Sequence, residues 1–369
     1  MTKLTELYQN CGQSPWLDNI KRAWLNDGTL KKLHDQGVRG VTSNPTIFAK
    51  AIESSSDYDE QFLNLIRQDK TIEQAYWIMV KDDISLALDL FENLYLESNK
   101  TDGFVSIEVS PEFAHDQAQT LAQAKTLWDD ISRPNLLVKI PATQQGLGAI
   151  MEMITDGRNV NVTLIFSLER YKEVIDAYIS GLEARAQLGV ADLSDVFSVA
   201  SFFVSRIDTE ADKRLEAIGT PEALELRGKL AVAQAKVAYQ IYLEEFSSER
   251  FKIVESLGAR PQKLLWASTS TKNPNYPDLL YVDNLIGPNT INTMPDSTLE
   301  AFLDHGKLER TLDQDVEESK TLLDKAKEIG LDMKEITDLL ETQGVISFKQ
   351  SYEEVLGVLN NKAGVLKGV

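Results

Sequence analysis

The chain has 369 residues, of which 43% are hydrophobic and 26% are charged, a composition that excludes global disorder. Its 57 acidic and 38 basic residues give a formal net charge of −19, which argues against nucleic acid or an anionic membrane as the main partner. The single cysteine, Cys11, excludes an intrachain disulfide and favours a reducing compartment, so we expect a cytoplasmic protein.

Short apolar segments alternate with longer amphipathic segments along the chain. The short ones are rich in Val, Ile, Leu or Phe and are bounded by Gly, Pro, Asn or Ser, which is typical of strands. Eight strands are predicted, at 16–18, 39–42, 104–109, 136–140, 160–165, 196–203, 263–267 and 290–294. The amphipathic segments predict helices at 57–67, 71–96, 114–131, 147–155, 168–187, 221–246 and 299–329.

Strands that alternate with helices predict a parallel sheet, which is either an open doubly wound sheet or a closed barrel. Eight strands and polar residues at their carboxyl ends favour the barrel. No Gly-rich phosphate motif of the dinucleotide-binding or P-loop type occurs. We therefore predict an α/β fold, a (β/α)8 TIM barrel with additional helices, in one domain spanning 1–369. A helical extension is expected from about residue 298.

No apolar run approaches the length of a membrane span, and the opening MTKLTELYQN has no signal-peptide core. The three histidines, His34, His115 and His305, stand far apart and have no second ligand at metal-binding spacing. We therefore expect neither a membrane segment nor a metal site.

The predicted strand LLVKI at 136–140 contains Lys139 among apolar residues. Lysine is rarely buried unless its charge is compensated or used. Burial disfavours the ammonium form, and a neutral amine can attack a ketone to form a Schiff base. Taken alone, Lys139 would more simply reach solvent or form an ion pair, for example with Glu108.

Further polar residues occur at the ends of the other predicted strands, and a barrel brings those ends together at one face. Asp18 and Glu108 are the carboxyl groups available for proton transfer, and Thr163 can hold a water molecule. Asp18 also fits the N-cap of a helix that begins near Ile20.

A second group of polar residues is suited to binding an anion. Arg206 and Ser201, with Ser268 and Lys272 near the end of the strand at 263–267, can clamp the phosphate of a sugar phosphate. Arg206 equally fits an exposed helix start paired with an aspartate.

Four motifs together resemble the transaldolase family, most closely its longer bacterial branch. The motifs are GVTSNPTIFAKAI at 40–52, LLVKIPAT at 136–143, VNVTLIFSLERY at 160–171 and ASFFVSRID at 200–208. The resemblance extends over nearly the whole chain and implies a class I aldolase-type barrel. It also implies that Lys139 is the Schiff-base lysine, that Asp18 and Glu108 are acid/base groups, and that Thr163 holds the catalytic water.

The same resemblance implies the residues that bind the substrate. Asn44 and Asn161 correspond to the residues that contact sugar hydroxyls, and Ser201 and Arg206 to those that contact phosphate. Shorter family members have a second phosphate-binding arginine after the strand corresponding to 263–267, where this chain reads WASTSTKNP. We expect Lys272 or the Ser and Thr hydroxyls, including Ser268, to take its place.

The activity implied is that of a transferase of the non-oxidative pentose phosphate pathway, the pentose shunt. It moves a dihydroxyacetone unit from sedoheptulose 7-phosphate or fructose 6-phosphate to glyceraldehyde 3-phosphate or erythrose 4-phosphate. We expect no metal or organic cofactor, small sugar phosphates as the only partners, and a monomer or homodimer. Two alternatives are a fructose 6-phosphate aldolase of the same superfamily and a non-catalytic relative that binds sugar phosphates.

Overall fold

A single parallel sheet organises the computed structural model, which describes residues 1–366. Its strands are β1 (Gln13–Leu17), β2 (Val105–Glu108), β3 (Leu136–Pro141), β4 (Val160–Ile165), β5 (Ser198–Phe203), β6 (Lys263–Ala267) and β7 (Thr290–Met294). They are ordered β1-β7-β6-β5-β4-β3-β2, and every strand residue but Lys263 is buried. Burial on both faces explains why these strands appear in the sequence as nearly continuous apolar runs.

The predicted eighth strand, at 39–42, is reduced to one bridging residue. Val41 forms parallel bridges with both Leu17 of β1 and Val105 of β2, so it joins the two edges of the sheet. The barrel therefore closes, as predicted. The pairing stays short because Gly40 lies against the ring of Trp16, where a Cβ would come within 2.5 Å of the ring, and a helix begins at Pro45.

Helices surround the barrel and follow most of its strands. They are α1 (Lys3–Cys11), α2 (Arg22–Asn26), α3 (Thr29–Asp35), α4 (Pro45–Glu53), α5 (Asp59–Arg67), α6 (Ile72–Glu97), α7 (Gln117–Ile131), α8 (Gln144–Thr155), α9 (Leu168–Gln187), α10 (Ser205–Ile218), α11 (Pro221–Leu224), α12 (Leu230–Glu245), α13 (Glu249–Glu255), α14 (Leu280–Asp283), α15 (Asp296–His305), α16 (Val316–Glu328) and α17 (Met333–Leu366). None of these helices combines the length and the hydropathy needed to cross a membrane.

Two predicted helices are wrong in their extent. The predicted helix at 221–246 is interrupted between α11 and α12, where Gly228 adopts a positive φ of 70°. The predicted helix at 299–329 is interrupted between α15 and α16, and Asp315, directly before α16, has a φ of 54°. A left-handed residue ends the repeat of a right-handed helix, although the apolar periodicity continues on both sides.

The C-terminal helix α17 lies across the carboxyl end of the barrel. Polar contacts connect it to five other helices: Glu335 to Arg214, Glu341 to Arg170, Ser351 to Thr46, Tyr352 to Glu73 and Lys362 to Asp59. The expected extension from about residue 298 thus includes α15, α16 and α17. The last residues of the predicted 1–369 domain, 367–369, lie outside the described part.

Candidate active site

A cavity of about 750 Å³ opens at the carboxyl end of the barrel, below α17. Seven of the ten predicted site residues line it: Asp18, Asn44, Lys139, Ser201, Arg206, Ser268 and Lys272. The other three, Glu108, Asn161 and Thr163, are buried in β2 and β4, the two strands that flank β3. The barrel therefore brings together residues that are up to 254 positions apart, Asp18 and Lys272.

Strand register places three of these side chains in one row. Glu108 on β2 is aligned with Lys139 on β3, which is aligned in turn with Asn161 on β4. Neighbouring residues in register point to the same side of a sheet, here the barrel interior. The row therefore sets an acid and an amide on either side of the lysine.

Lys139 and Glu108 form a buried pair. Their side chains are each only 5% exposed, and Nζ lies 3.4 Å from Oε2. Nζ also donates a hydrogen bond to the backbone carbonyl of Ser43 at 3.2 Å, and it lies 5.8 Å from the ring centre of Phe348. The lysine is thus held between an acid, a carbonyl and an aromatic ring, with its end at the cavity.

Burial controls the protonation of Glu108. It raises the pKa of this carboxyl group from 4.5 to about 7, although the positive charge of Lys139 acts in the opposite direction. A carboxyl group that titrates near neutral pH can both accept and donate a proton there.

Two buried oxygens, one in this pair and one on β4, have no hydrogen-bond partner within residues 1–366. They are Oε2 of Glu108, which is at ion-pair distance from the lysine, and Oγ1 of Thr163. A buried polar atom is normally satisfied by the protein or by water. Both oxygens are therefore available to a water molecule or to a polar group of a substrate.

Asp18 directly follows β1, at the rim of the cavity. Burial raises the pKa of its carboxyl group, and the charge of Lys139 together with a 2.7 Å hydrogen bond from Thr42 partly offsets this rise. The alternative in which Asp18 caps a helix is wrong, because α2 begins later, at Arg22, with Lys21 as its N-cap residue. Its carboxylate is consequently not used to begin a helix and faces the cavity.

The two asparagines have different surroundings. Asn44 caps α4 by accepting a hydrogen bond from the backbone of Ile47 at 3.0 Å. Asn161 is fully buried, donates to Ser106 at 3.0 Å and accepts from Ser201 at 2.7 Å. Asn161 therefore orients Ser201, whereas Asn44 presents its side chain at the cavity itself.

All four predicted phosphate residues, Ser201, Arg206, Ser268 and Lys272, line the cavity. Arg206 is half-buried over the ring of Phe203, and burial lowers its pKa. The alternative of an Arg206–aspartate pair is wrong, because no carboxylate within residues 1–366 lies at ion-pair distance from it. Ser268, with a φ of 56°, has its hydroxyl 2.9 Å from that of Ser205, and Lys272 donates to Ser270 at 2.6 Å.

Lys50, Ser347 and Phe348 are among the cavity-lining residues that sequence reasoning missed. The signal for Lys50 was present, because Asn44 followed by Pro45 is a typical helix start and Lys50 lies one turn beyond Thr46. No comparable signal exists for Ser347 and Phe348, which reach the site only through the position of α17. Within residues 1–366, no group of three or more His, Cys, Asp or Glu side chains is arranged to hold a metal ion.

Comparisons with known proteins show the family of the chain. The sequence profile of the family described as Transaldolase/Fructose-6-phosphate aldolase matches residues 15–359. A protein of Saccharopolyspora erythraea named transaldolase is 47% identical over 353 residues, 95% of each chain. Proteins of the same name from Thermobifida fusca and Thiobacillus denitrificans are also 47% identical, over 94% and 96% of this chain and 95% and 98% of their own.

Proposed function

The chain belongs to the transaldolase/fructose-6-phosphate aldolase family, and we propose that it transfers a dihydroxyacetone unit between sugar phosphates through a Schiff base on Lys139. The observation that carries this mechanism is the buried pair of Lys139 and Glu108, 3.4 Å apart, at a cavity that Asp18 also faces. A nucleophilic amine, a proton carrier with a pKa near 7 and a second carboxyl group are the parts that the reaction requires.

Imine formation is the first stage. The neutral amine of Lys139 attacks C2 of fructose 6-phosphate or sedoheptulose 7-phosphate, and the resulting carbinolamine loses water. Both steps move protons at the same nitrogen and oxygen, so one group must donate and accept in turn. Glu108 is suited to this role, and Thr163 holds the water that connects Glu108 with the reacting atoms.

Carbon–carbon cleavage is the second stage. Asp18 removes the proton of the C4 hydroxyl while the C3–C4 bond breaks, and the aldose phosphate leaves. The protonated imine accepts the electron pair of that bond and becomes an enamine, which stays attached to Lys139. Attack of the enamine on glyceraldehyde 3-phosphate or erythrose 4-phosphate forms the new C3–C4 bond, and Asp18 returns its proton to the C4 oxygen. Water then adds to the regenerated imine, and the product ketose phosphate leaves the free amine of Lys139. A covalent intermediate of this kind gives ping-pong kinetics.

The substrate is positioned from both ends in this proposal. Asn44 and Asn161 contact the sugar hydroxyls, Asn161 in part through Ser201. The phosphate group lies between Ser201, Arg206, Ser268 and Lys272. These cationic and hydroxyl groups attract an anion locally, against the overall charge of −19.

Borohydride trapping tests the covalent step. Reduction in the presence of fructose 6-phosphate should add the mass of a reduced dihydroxyacetone adduct to the Lys139 peptide and to no other. The internal control is Lys263, a second lysine on a barrel strand, whose Nζ donates to the carbonyl of Thr101 at the opposite end of the barrel. An unmodified Lys139 peptide, or equal labelling of both lysines, would refute the mechanism.

The aldolase alternative is not favoured, because the curated relatives described above are named transaldolases. The two reactions differ in the fate of the enamine: an aldolase protonates it to the imine, and water then hydrolyses the imine to dihydroxyacetone and the free lysine. Incubation with fructose 6-phosphate and no acceptor separates them, since steady release of dihydroxyacetone would indicate the aldolase. All three of Lys139, Asp18 and Glu108 are present, which disfavours a non-catalytic relative.

The wider setting is part of the same proposal. The chain acts as one domain spanning 1–369, as a monomer or homodimer in the cytoplasm, in the non-oxidative pentose phosphate pathway. The chemistry described needs no metal and no organic cofactor, because the lysine imine itself accepts the electrons of the broken bond. Small sugar phosphates are its partners.

A further inference from the structure

Several cationic side chains line the cavity. Besides Lys139, the cations that line it are Lys21, Lys50, Arg206 and Lys272. Lys21 lies 3.4 Å from Asp296 and is therefore compensated. Within residues 1–366, the other three have no carboxylate at ion-pair distance, although most other arginines and many lysines on the surface do.

The three uncompensated cations act on one another. The pKa of Lys272 is lowered first by burial and then by the positive charges of Arg206 and Lys50. The acids facing the same cavity are Asp18, Asp296 and Glu53. Asp18 has only a small opposing effect on Lys272, and Asp296 is shared with Lys21 and Asn19. The chain is polyanionic, yet it keeps these three cations together with no described carboxylate at ion-pair distance. Such a group of cations is suited to binding an anion.

Helix α4 determines the position of Lys50. The helix begins at Pro45 and is capped by Asn44, so its start is fixed beside the substrate-binding face. Thr46, Lys50 and Ser54 line the cavity at intervals of four residues, which puts them on the same side of the helix. Lys50 is exposed at this rim and its long side chain can extend into the cavity.

We propose that Lys50 binds the phosphate group of the sugar phosphate together with Arg206 and Lys272. It adds a cation to the one that Lys272 supplies from the segment WASTSTKNP, which contains no arginine. The proposal rests on the function proposed above. Lys50 is a specificity residue here, since it contacts a part of the substrate that does not react.

Inorganic phosphate tests the subsite without any need for turnover. Titration followed by phosphorus NMR should show binding to the unchanged protein. Lys50→Met should raise the dissociation constant roughly ten-fold, the loss expected for one charge-assisted hydrogen bond at a partly exposed site. Lys50→Arg should retain most of the affinity. The control is Lys320→Met on α16, which removes an exposed lysine that is paired with Glu317 away from the cavity, and it should leave phosphate binding unchanged.

Kinetics provide the second test. Lys50→Met should raise KM for fructose 6-phosphate about ten-fold and leave kcat within a factor of two, because the contact is the same in the ground and transition states. With unphosphorylated fructose as donor, kcat/KM of Lys50→Met should equal that of the unchanged protein. A reduction with both donors would mean a structural effect and would overturn the inference.

The outcomes separate the two proposals. Phosphate binding that Lys50→Met does not weaken, or the absence of phosphate binding, overturns the role of Lys50 even if dihydroxyacetone transfer is observed. Phosphate binding that depends on Lys50, in a protein whose Lys139 is never trapped, overturns the proposed function and leaves the anion subsite in place.

Discussion

Replacing Glu108 by Gln tests whether the buried acid of the site reduces the stability of the fold. The pKa of this carboxyl group is 4.5 in an unfolded chain and about 7 in the folded chain. Above pH 7 this difference lowers the free energy of unfolding by about 3 kcal/mol. Between these two pH values the folded state binds more protons than the unfolded state, so the free energy of unfolding falls as pH rises. The loss begins near pH 4.5 and is complete just above pH 7.

The Gln variant has no carboxyl group at this position and should not show this fall. Relative to the unchanged protein, its free energy of unfolding should therefore rise by about 3 kcal/mol between pH 4 and pH 8. The carboxyl group of Asp18 remains in both proteins, so most of its contribution cancels in the difference. Equilibrium urea unfolding, followed by far-ultraviolet circular dichroism at intervals of half a pH unit, measures it.

The control is Glu92→Gln on α6, which removes an exposed glutamate that forms no ion pair within residues 1–366. Its pH profile should be parallel to that of the unchanged protein. A parallel profile for Glu108→Gln as well would refute the reasoning, since it would mean that burial does not control the protonation of Glu108. The variant should also lose the ionisation near pH 7 from its profile of kcat/KM.

Two other predictions concern the hydroxyl of Thr163, which is proposed to hold a water molecule, and a buried ion pair. Thr163→Val should lower kcat at least ten-fold, whereas Thr163→Ser keeps the hydroxyl and most of the rate; equal rates in the two variants would contradict a role in holding water. Arg22→Met removes the guanidinium 2.7 Å from buried Asp83 and should lower the free energy of unfolding by about 3–5 kcal/mol in urea titrations. Arg22→Met combined with Asp83→Leu should recover most of that loss, and a single variant as stable as the unchanged protein would contradict the estimate.

The sequence contained enough information to predict most of the barrel. Strands at 160–165, 263–267 and 290–294 coincide with β4, β6 and β7, because burial on both faces requires unbroken apolar runs. Helices were less well predicted. Turn residues such as Gly228 interrupt a helix without interrupting its apolar periodicity, and short helices such as α3 and α14 have too few turns for a periodic signal.

The candidate site was predicted largely through its motifs. Seven of its ten residues line one cavity, because parallel strands place their carboxyl ends at one face regardless of sequence separation. The partners of those residues were not predictable. The acceptor for Lys139 is the carbonyl of Ser43, 96 positions away, and no residue type reports which backbone group will lie beside it.

By itself, the sequence predicted where most strands lie along the chain, which lysine and acids are candidates for the site, and which family the chain resembles, because these depend on local pattern and on motifs. Only the tertiary structure decided that α17 covers the carboxyl end of the barrel, that Phe348 lies near Lys139 and that Lys50 lines the same cavity as Arg206 and Lys272. The physical reason is that these contacts depend on how separate elements pack, and burial and charge at the site result from that packing.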